Sequence, residues 1–293
     1  MSPNARAAAL MVLAMACFAC EDALLKLLSR HLSTGQLLVF IGFSGMALFG
    51  AWVSFRQGLN FRDLLHPGVM LRNLCEAICA ITFVTALSMG DLSIASAILQ
   101  AQPLLMTLGA AMFLGEPVGW RRWLSICAGF VGVLLIVRPG TEAFQPSSVL
   151  AVIAVLALAV RDLATRRLPP GIGSGMVTAS AFASVGIAGA VLSVLSGQQF
   201  QMPTTVGFAG IAGCVIFGLA GYITMVTATR VGEISAIAPF RYSRLVFALA
   251  FGLLVFGERP DLWMLAGAVL IAGAGIYSMW RETRVRRLKT ATG

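Results

Sequence analysis

Charged side chains are scarce in this sequence. Asp, Glu, Lys and Arg make up only 11% of its 293 residues, whereas a soluble domain carries about 25%. Hydrophobic residues account for 58% of the chain, and the mean hydropathy is +0.89. This composition excludes a soluble domain of this length and predicts an integral membrane protein.

Histidine is almost absent, and no familiar catalytic or metal-binding motif is present. The two histidines, His31 and His66, both fall in predicted loops. Cys17 and Cys20 have a Cys-x-x-Cys spacing, but the lipid core supplies none of the polar ligands that a zinc site would need beside them. The Gly-rich segment Gly171–Gly175 fits neither a phosphate-binding loop nor a nucleophile elbow. The sequence therefore predicts no cofactor, no metal site and no enzymatic activity.

Ten apolar stretches are candidates to cross a bilayer. A hydrocarbon core of about 30 Å needs about 20 residues per helix. The predicted spans are Ala7–Leu28, Gln36–Phe55, Met70–Met89, Ile94–Leu114, Trp123–Val137, Ser147–Arg166, Gly175–Ser196, Val206–Thr229, Ile234–Phe256 and Leu262–Arg281. The first span is too long for a signal peptide and is expected to be retained. We predict an all-α membrane protein of ten transmembrane helices.

The second half of the sequence repeats the first. At an offset of 142 residues, Gly90-Asp91-Leu92-Ser93 meets Gly232-Glu233-Ile234-Ser235 and Gly115-Glu116 meets Gly257-Glu258, while Asp22 meets Asp162 at an offset of 140. Each half holds five spans, and because five is odd the second half must enter the membrane inverted. We expect one repeat over 1–140, an inverted repeat over 141–281 and a basic cytoplasmic tail over 282–293. Inverted repeats are typical of secondary transporters, whose substrate sites lie near the midplane between the repeats.

The net charge of +9 follows the positive-inside rule. With a cytoplasmic N-terminus, fourteen Lys and Arg residues fall on inner segments and only four on outer ones. This asymmetry places both termini in the cytoplasm of a multi-pass protein of the bacterial inner membrane. The surplus charge therefore indicates orientation, and no nucleic-acid partner is expected.

Several charged residues fall inside the predicted spans. A charge at the bilayer centre costs at least about 2.5–3.5 kcal/mol on insertion scales, so each one needs a reason. Charges four residues apart can pair on one helix face, and these pairs are Asp22 with Lys26, Arg72 with Glu76 and Asp162 with Arg166. Glu21, Arg241 and Arg244 have no such local partner. These three residues are therefore candidates for a substrate pathway.

Arg241 and Arg244 lie three residues apart, with Tyr242 between them. Two guanidinium groups on one face repel each other unless a carboxylate or an anion lies opposite. Candidates within the chain are Glu21, Glu76 and Asp162, and the candidate outside it is a substrate carboxylate or phosphate. A purely structural ion pair is the alternative interpretation.

The repeat is not symmetric at its polar positions. Leu99, Gln100 and Gln102 occupy the places of Arg241, Tyr242 and Arg244, and Glu21 occupies the place of Arg161. Such a lining suits an asymmetric, partly charged solute, although drift after duplication would also produce differences. The predicted substrate-binding residues are Arg241, Arg244, Tyr242, Glu21, Asp22, Gln100, Gln102 and Glu76. In this set an arginine would bind a carboxylate, and Glu21 or Asp22 would receive an ammonium group.

Two prolines lie within predicted spans. Pro103 in the fourth span and Pro239 in the ninth each remove a helical hydrogen bond, and the freed carbonyls can line a cavity or let a helix flex. We predict that both act as helix hinges and that Asp162 takes part in coupling. Mild kinks without a function are the alternative.

The chain resembles the drug/metabolite transporter superfamily, specifically its EamA branch. The resemblance covers the whole sequence and is most specific over Ala95–Gln100 through Gly115-Glu116-Pro117 and over Ser235–Pro239 through Gly257–Pro260. It implies alternating access around a central cavity lined by spans one, three, four, six, eight and nine. The branch includes exporters of amino acids, S-adenosylmethionine uptake carriers and riboflavin carriers.

The leading expectation is therefore a secondary transporter that exports amino acids or aromatic compounds. The alternatives are an uptake carrier for a cofactor-like solute such as riboflavin or S-adenosylmethionine and, more remotely, a non-transporting scaffold or receptor. The expected partners are a small-molecule substrate and the lipid bilayer, and the protein is expected to be a monomer or homodimer.

Overall fold

The computed structural model describes residues 3–56, 61–115, 119–169, 171–197, 200–233 and 237–291. These residues are helical with no strands. The α-helices are α1 (Pro3–Leu28), α2 (Thr34–Arg56), α3 (Pro67–Met89), α4 (Leu92–Leu99), α5 (Gln102–Phe113), α6 (Trp120–Val137), α7 (Pro146–Arg166), α8 (Ser174–Leu195), α9 (Thr205–Val231), α10 (Ser243–Phe256) and α11 (Leu262–Ala291), and two short 3-10 helices cover Phe61–Leu65 and Ala238–Tyr242. Ten helical segments in the described ranges are long and apolar enough to cross a membrane.

The ten predicted spans are confirmed, with differences at their ends. The fifth begins at Trp120 rather than Trp123, and α11 continues past the predicted end of the tenth span to Ala291. The predicted motif residues Glu116, Pro117, Ile234 and Ser235 lie outside the described residues. Fully apolar side chains such as Leu254, Leu262 and Val206 are at least 80% exposed, as expected for surfaces that face lipid rather than water.

The helices pack in a pattern that is symmetric between the two halves. The most extensive contacts join α1 to α9, α3 to α7, α2 to α8 and α6 to α11. Exchanging the first five spans with the last five converts the first pair into the second and leaves the other two unchanged. The contact of α1 with α10 likewise has its counterpart in the contacts of α7 with α4 and α5. This is the set of contacts that a two-fold relation between the halves would produce.

Glycines allow the closest of these approaches. A Cβ added at Gly42 of α2 would lie 2.2 Å from the backbone nitrogen of Gly186 in α8. A Cβ added at Gly267 of α11 would lie 2.6 Å from the carbonyl oxygen of Gly132 in α6. Small residues at such crossings let two membrane helices approach backbone to backbone.

The fourth and ninth spans are both interrupted. In the fourth span, Gln100 and Ala101 separate α4 from α5. In the ninth, the 3-10 helix Ala238–Tyr242 runs into α10 at Ser243, which matches Ala101 at the offset of 142. Pro103 follows the first interruption and Pro239 lies within the 3-10 helix of the second, and each lacks the N–H that a continuous helix would need. The two interruptions therefore lie at related positions although the prolines do not.

Candidate substrate site

A two-pronged ion pair joins the first span to the ninth. Nη2 of Arg244 donates to both carboxylate oxygens of Asp22 at 2.9 and 2.7 Å, and Nε donates at 3.1 Å. The carboxylate is nearly inaccessible, with Asp22 only 2% exposed, and the guanidinium also lies over the ring of Phe18. Bidentate geometry of this kind is the strongest form of an Arg–carboxylate contact. Arg244 thus has its anion within the protein.

The related position in the second half carries a neutral version of the same contact. Nε2 of Gln102, just after the interruption in the fourth span, donates to Oδ2 of Asp162 on α7 at 2.6 Å. Under the repeat, Asp162 corresponds to Asp22 and Gln102 to Arg244. Each interrupted span is therefore fastened, just after its break, to an aspartate in the first helix of the opposite half.

Arg161 is the centre of a larger charged network. Its Nη1 donates to both oxygens of Glu76 on α3 at 3.1 Å, and its Nε and Nη2 donate to Oδ1 of Asp162 at 2.8 and 2.7 Å. Arg72 adds a longer contact of 3.8 Å to Glu76, as its spacing predicts. The charges from two spans, α3 and α7, thus neutralise one another within the helix bundle.

Arg241 differs from these arginines. Within the residues that the structure describes, its guanidinium makes no hydrogen bond and no ion pair, and the residue is exposed. Its electrostatic neighbours are Asp162 and Arg161 on α7 and Arg244 on its own span. The backbone at this point is held by Nε2 of Gln100, which donates to the Arg241 carbonyl at 3.3 Å. Because this exposed guanidinium lies near interior charges and has no carboxylate of its own among the described residues, it is available to bind an anion.

Glu21 is another charged residue of the first span whose side chain is partly accessible. Its carboxylate makes no hydrogen bond or ion pair with any described residue, and it lines a cavity between α1, α2, α8 and α9 together with Phe18 and Gly218. It is therefore turned toward a different space from Asp22, which faces α10.

Three of the predicted site residues lie elsewhere. The hydroxyl of Tyr242 is buried without a hydrogen bond and abuts Gly275 of α11, where an added Cβ would collide with it. The ring thus packs against the tenth span and away from the Asp22–Arg244 pair. Pro103 and Pro239 lie at the interruptions. Among the described residues, no hydrogen bond joins either proline to the charged network.

The predicted pairing of Asp22 with Lys26 is wrong in this structure. Asp22 pairs with Arg244, whereas Nζ of Lys26 lies one turn further along α1 and donates to Oε1 of Glu258 at 2.7 Å and to the Gly90 carbonyl at 2.6 Å. The reason is that the ends of other spans approach α1 more closely than its own neighbouring side chains do. Sequence spacing on one helix could not reveal those partners.

Glu258 closes this end of the bundle. Besides Lys26, its oxygens accept the backbone N–H groups of Leu92 at 2.7 Å and Ser93 at 3.0 Å, at the start of α4. Burial alone would raise the pKa of Glu258, but the hydrogen bonds from Lys26, Ser93 and Leu92 outweigh it and hold the pKa below its ordinary value. The repeated Gly-Glu motif thus has a structural role at Gly257-Glu258, as an acceptor at a helix N-terminus.

Arg161 was not among the predicted site residues. Its adjacent position to Asp162, repeating Glu21-Asp22 at an offset of 140 residues, was the available signal. That signal gave no partner, because Glu76 lies 85 residues earlier in the chain.

The sequence matches known transporters. The model of the EamA-like transporter family matches residues 5–138 and again residues 145–280. The S-adenosylmethionine uptake transporter of Rickettsia felis is 26% identical over 277 residues, which cover 92% of this chain and 90% of that protein. The pseudopaline exporter of Pseudomonas aeruginosa is 26% identical over 277 residues, covering 91% of this chain and 93% of that protein.

Two further matches extend this comparison. The riboflavin transporter of Rhizobium johnstonii is 29% identical over 199 residues, covering 66% of this chain and 63% of that protein. A crystal structure with 18% sequence identity has the same fold, with a TM-score of 0.61 over 96% of this chain and 98% of that one.

Proposed function

Because the chain belongs to the EamA-like transporter family, we propose that it is a secondary carrier for a small amphipathic metabolite with a carboxylate or phosphate group. The protein is a multi-pass membrane transporter and not an enzyme. A small-molecule substrate for a transporter embedded in the membrane is consistent with these matches.

The observation that carries this proposal is the accessible guanidinium of Arg241. Arg244, Arg161 and Arg72 all lie beside carboxylates of the protein, whereas Arg241 has no such contact among the described residues. An intramembrane cation without a partner is costly, by about 2.5–3.5 kcal/mol or more. A solute anion bound to Arg241 offsets that cost while the solute is in the carrier.

The symmetric contacts and the two related interruptions support alternating access as the transport mechanism. In this proposal, 1–140 and 141–281 are inverted repeats, and the breaks marked by Pro103 and Pro239 are the hinges about which the fourth and ninth spans tilt. Asp162 couples the two parts, because it binds Arg161 and Gln102 and is the strongest attractive neighbour of Arg241. An anion at Arg241 competes with that attraction and loosens the tie.

For the solute, the names of the relatives favour a cofactor-like compound over a simple amino acid. S-adenosylmethionine combines a carboxylate, an ammonium group, a sulfonium and an aromatic base, and therefore offers an anion for Arg241 and an apolar body for the surrounding helices. Export of an amino acid or aromatic compound is the second candidate, and the resemblance to an exporter supports it.

Flux into and out of proteoliposomes tests the proposal. The panel contains S-adenosylmethionine, riboflavin and the common amino acids, with wild type and Arg241→Ala compared at equal reconstituted amounts. Arg241→Ala should lower flux of the carried solute at least tenfold, since the ion pair with the solute is lost. Arg259→Ala, which removes an exposed arginine from a loop, is the matched control and should transport normally. Wild-type flux in a monodisperse Arg241→Ala protein would refute the anion site.

The membrane orientation is a separate part of the proposal. The basic asymmetry places both termini in the cytoplasm of the bacterial inner membrane. Reporter fusions at Gly90, Gly140 and Gly197 should report the periplasm, and those at Gly119 and Gly171 the cytoplasm. A consistently opposite pattern would overturn the orientation.

A further inference from the structure

A cavity of about 180 Å³ lies between α1, α2, α8 and α9, and aromatic rings form much of its wall. Phe18, Phe49, Phe182 and Tyr222 contribute from four different helices. The ring of Phe49 stacks on that of Phe182 at a centroid distance of 5.7 Å and meets the ring of Tyr222 edge-on at 5.6 Å. An apolar cavity of about 150 Å³ holds benzene, so this one has room for a compact organic group.

Among the described residues that line this cavity, Glu21 supplies the only carboxylate. It faces Gly218 of α9, where an added Cβ would lie 2.9 Å from Oε1 and 3.0 Å from Oε2. Gly218 thus keeps the space in front of the carboxylate open. The neighbouring cation, Arg244, directs Nε and Nη2 at Asp22 and makes no hydrogen bond or ion pair with Glu21 in the described part of the chain.

The second repeat shows what this position accommodates. Glu21 corresponds to Arg161 at an offset of 140, and Gly218 corresponds to Glu76 at an offset of 142. There the protein itself forms an ion pair between the first helix of one repeat and the third helix of the other, with two hydrogen bonds of 3.1 Å. At the first-repeat position the corresponding residues are a carboxylate and a glycine, Glu21 and Gly218, which cannot form an ion pair with each other.

We propose that Glu21 and the surrounding aromatic rings bind an organic cation, an ammonium or sulfonium group. A carboxylate supplies the counter-charge, and aromatic faces attract cations through the ring quadrupole, with a preference for weakly hydrated organic cations. Harder metal cations prefer six or more oxygen ligands, and the wall provides only the Glu21 carboxylate and the Tyr222 hydroxyl as oxygen-bearing side chains.

The inference rests on the proposed function to this extent: the cation at Glu21 and the anion at Arg241 belong to solutes of one carrier. Arg241 is not among the residues that line the Glu21 cavity, and the members of the Asp22–Arg244 ion pair lie one residue from Glu21 and three residues from Arg241 in the sequence. A solute with both charges, or a cation and an anion bound together, would engage both. The site therefore selects for positive charge, whereas Arg241 selects for negative charge.

Binding of choline and of its neutral isostere 3,3-dimethylbutan-1-ol to the purified full-length protein tests the inference. In isothermal titration calorimetry, the wild-type protein should bind choline with an affinity at least tenfold higher than its affinity for 3,3-dimethylbutan-1-ol. Glu21→Gln should abolish this preference, because the side chain keeps its size and loses its charge. Gly218→Ala, which retains the carboxylate but adds a methyl group against it, should weaken choline binding as well. Arg259→Ala, which removes an exposed loop arginine, should leave the preference unchanged.

Each outcome decides the matter. Equal affinities of wild type for the two compounds, or an intact preference in Glu21→Gln, would overturn the cation site. If choline does not bind but Glu21→Gln makes flux independent of pH, then Glu21 carries a proton and the inference is wrong. Failure of the anion site instead would appear as normal flux in Arg241→Ala while the choline preference persists. The two proposals therefore fail in different experiments.

Discussion

The two halves of the protein use the same geometry with different charges. On one side of the bundle, Asp22 of α1 holds Arg244 at the start of α10 by a bidentate ion pair; on the other, Asp162 of α7 holds Gln102 at the start of α5 by a single amide hydrogen bond. The aspartates are shared, and only their partners differ. The comparison teaches that the aspartate and the broken span belong to the scaffold, while the residue after the break is free to vary in charge.

The same contrast extends one residue along the chain. Arg161 meets Glu76, whereas its counterpart Glu21 meets Gly218 and a cavity. Internal charge is thus satisfied in the second-repeat position and left accessible in the first. A carrier for an asymmetric solute needs such a difference, because two identical halves would present two identical sites.

The largest expected effect comes from removing the charged partner on one side. Arg244→Ala leaves Asp22, which is 2% exposed, without a counter-charge, and should destabilise the fold by about 3–5 kcal/mol. Gln102→Ala removes one hydrogen bond from an aspartate that keeps Arg161, and should cost about 1.5 kcal/mol. Thermal unfolding in detergent, read by monodispersity, measures both.

A matched variant makes this comparison sharper. Arg244→Gln gives Asp22 the kind of partner that Asp162 has in Gln102. Combined with Asp22→Asn, it also removes the uncompensated charge. The double variant should therefore recover part of the stability lost in Arg244→Ala. Equal destabilisation by Arg244→Ala and Gln102→Ala would show that the charge difference between the halves has no energetic consequence.

An intermediate effect is expected at Glu258, which fastens α4 to the loop between the ninth and tenth spans. Its pKa is held below the ordinary value of 4.5, so it contributes stability above that pH, and the contribution is lost as the pH falls through the lowered pKa. Wild type should therefore lose thermal stability in acid more steeply than Glu258→Gln, which should be less stable by about 1–2 kcal/mol at neutral pH. Parallel pH profiles for the two proteins would contradict this role.

The smallest effect is expected at Tyr242, which occupies the place of Gln100 in the repeat. Its buried hydroxyl lacks a hydrogen bond in the structure and lies against Gly275. Tyr242→Phe should change stability by less than about 0.5 kcal/mol and leave flux unchanged. A large loss of transport in this variant would place the hydroxyl in the substrate path after all, as the sequence pattern suggests.

The ten spans and the places of their interruptions were within reach of sequence reasoning. Hydropathy and length identify membrane helices directly, and Pro103 and Pro239 cannot continue a regular helix. The correspondence of Asp22 with Asp162 was also visible, because the repeat preserves both. These features depend on local composition or on comparing one half of the chain with the other.

The partners of the charges were not within reach. Arg241 and Arg244 lie three residues apart and were expected to share an environment. Arg244 is paired with Asp22, whereas Arg241 forms no ion pair with any residue that the structure describes. Helices that are apolar on nearly every face carry no periodic signal of their rotation, so the sequence does not say which side chain faces which span. In addition, Arg241 lies in a 3-10 segment and Arg244 in an α-helix, and the change in residues per turn alters their relative directions.

The bond between Nε2 of Gln100 and the carbonyl of Arg241 connects the two interruptions directly. Because of this hydrogen bond, a change of backbone angle at one interruption is transmitted to the other. The fourth and ninth spans should therefore move together rather than independently. In a carrier, such coupling disfavours a conformation that is open to both sides of the membrane at once. We therefore expect Gln100 to limit uncoupled leakage of solute through the carrier rather than to set the rate of turnover.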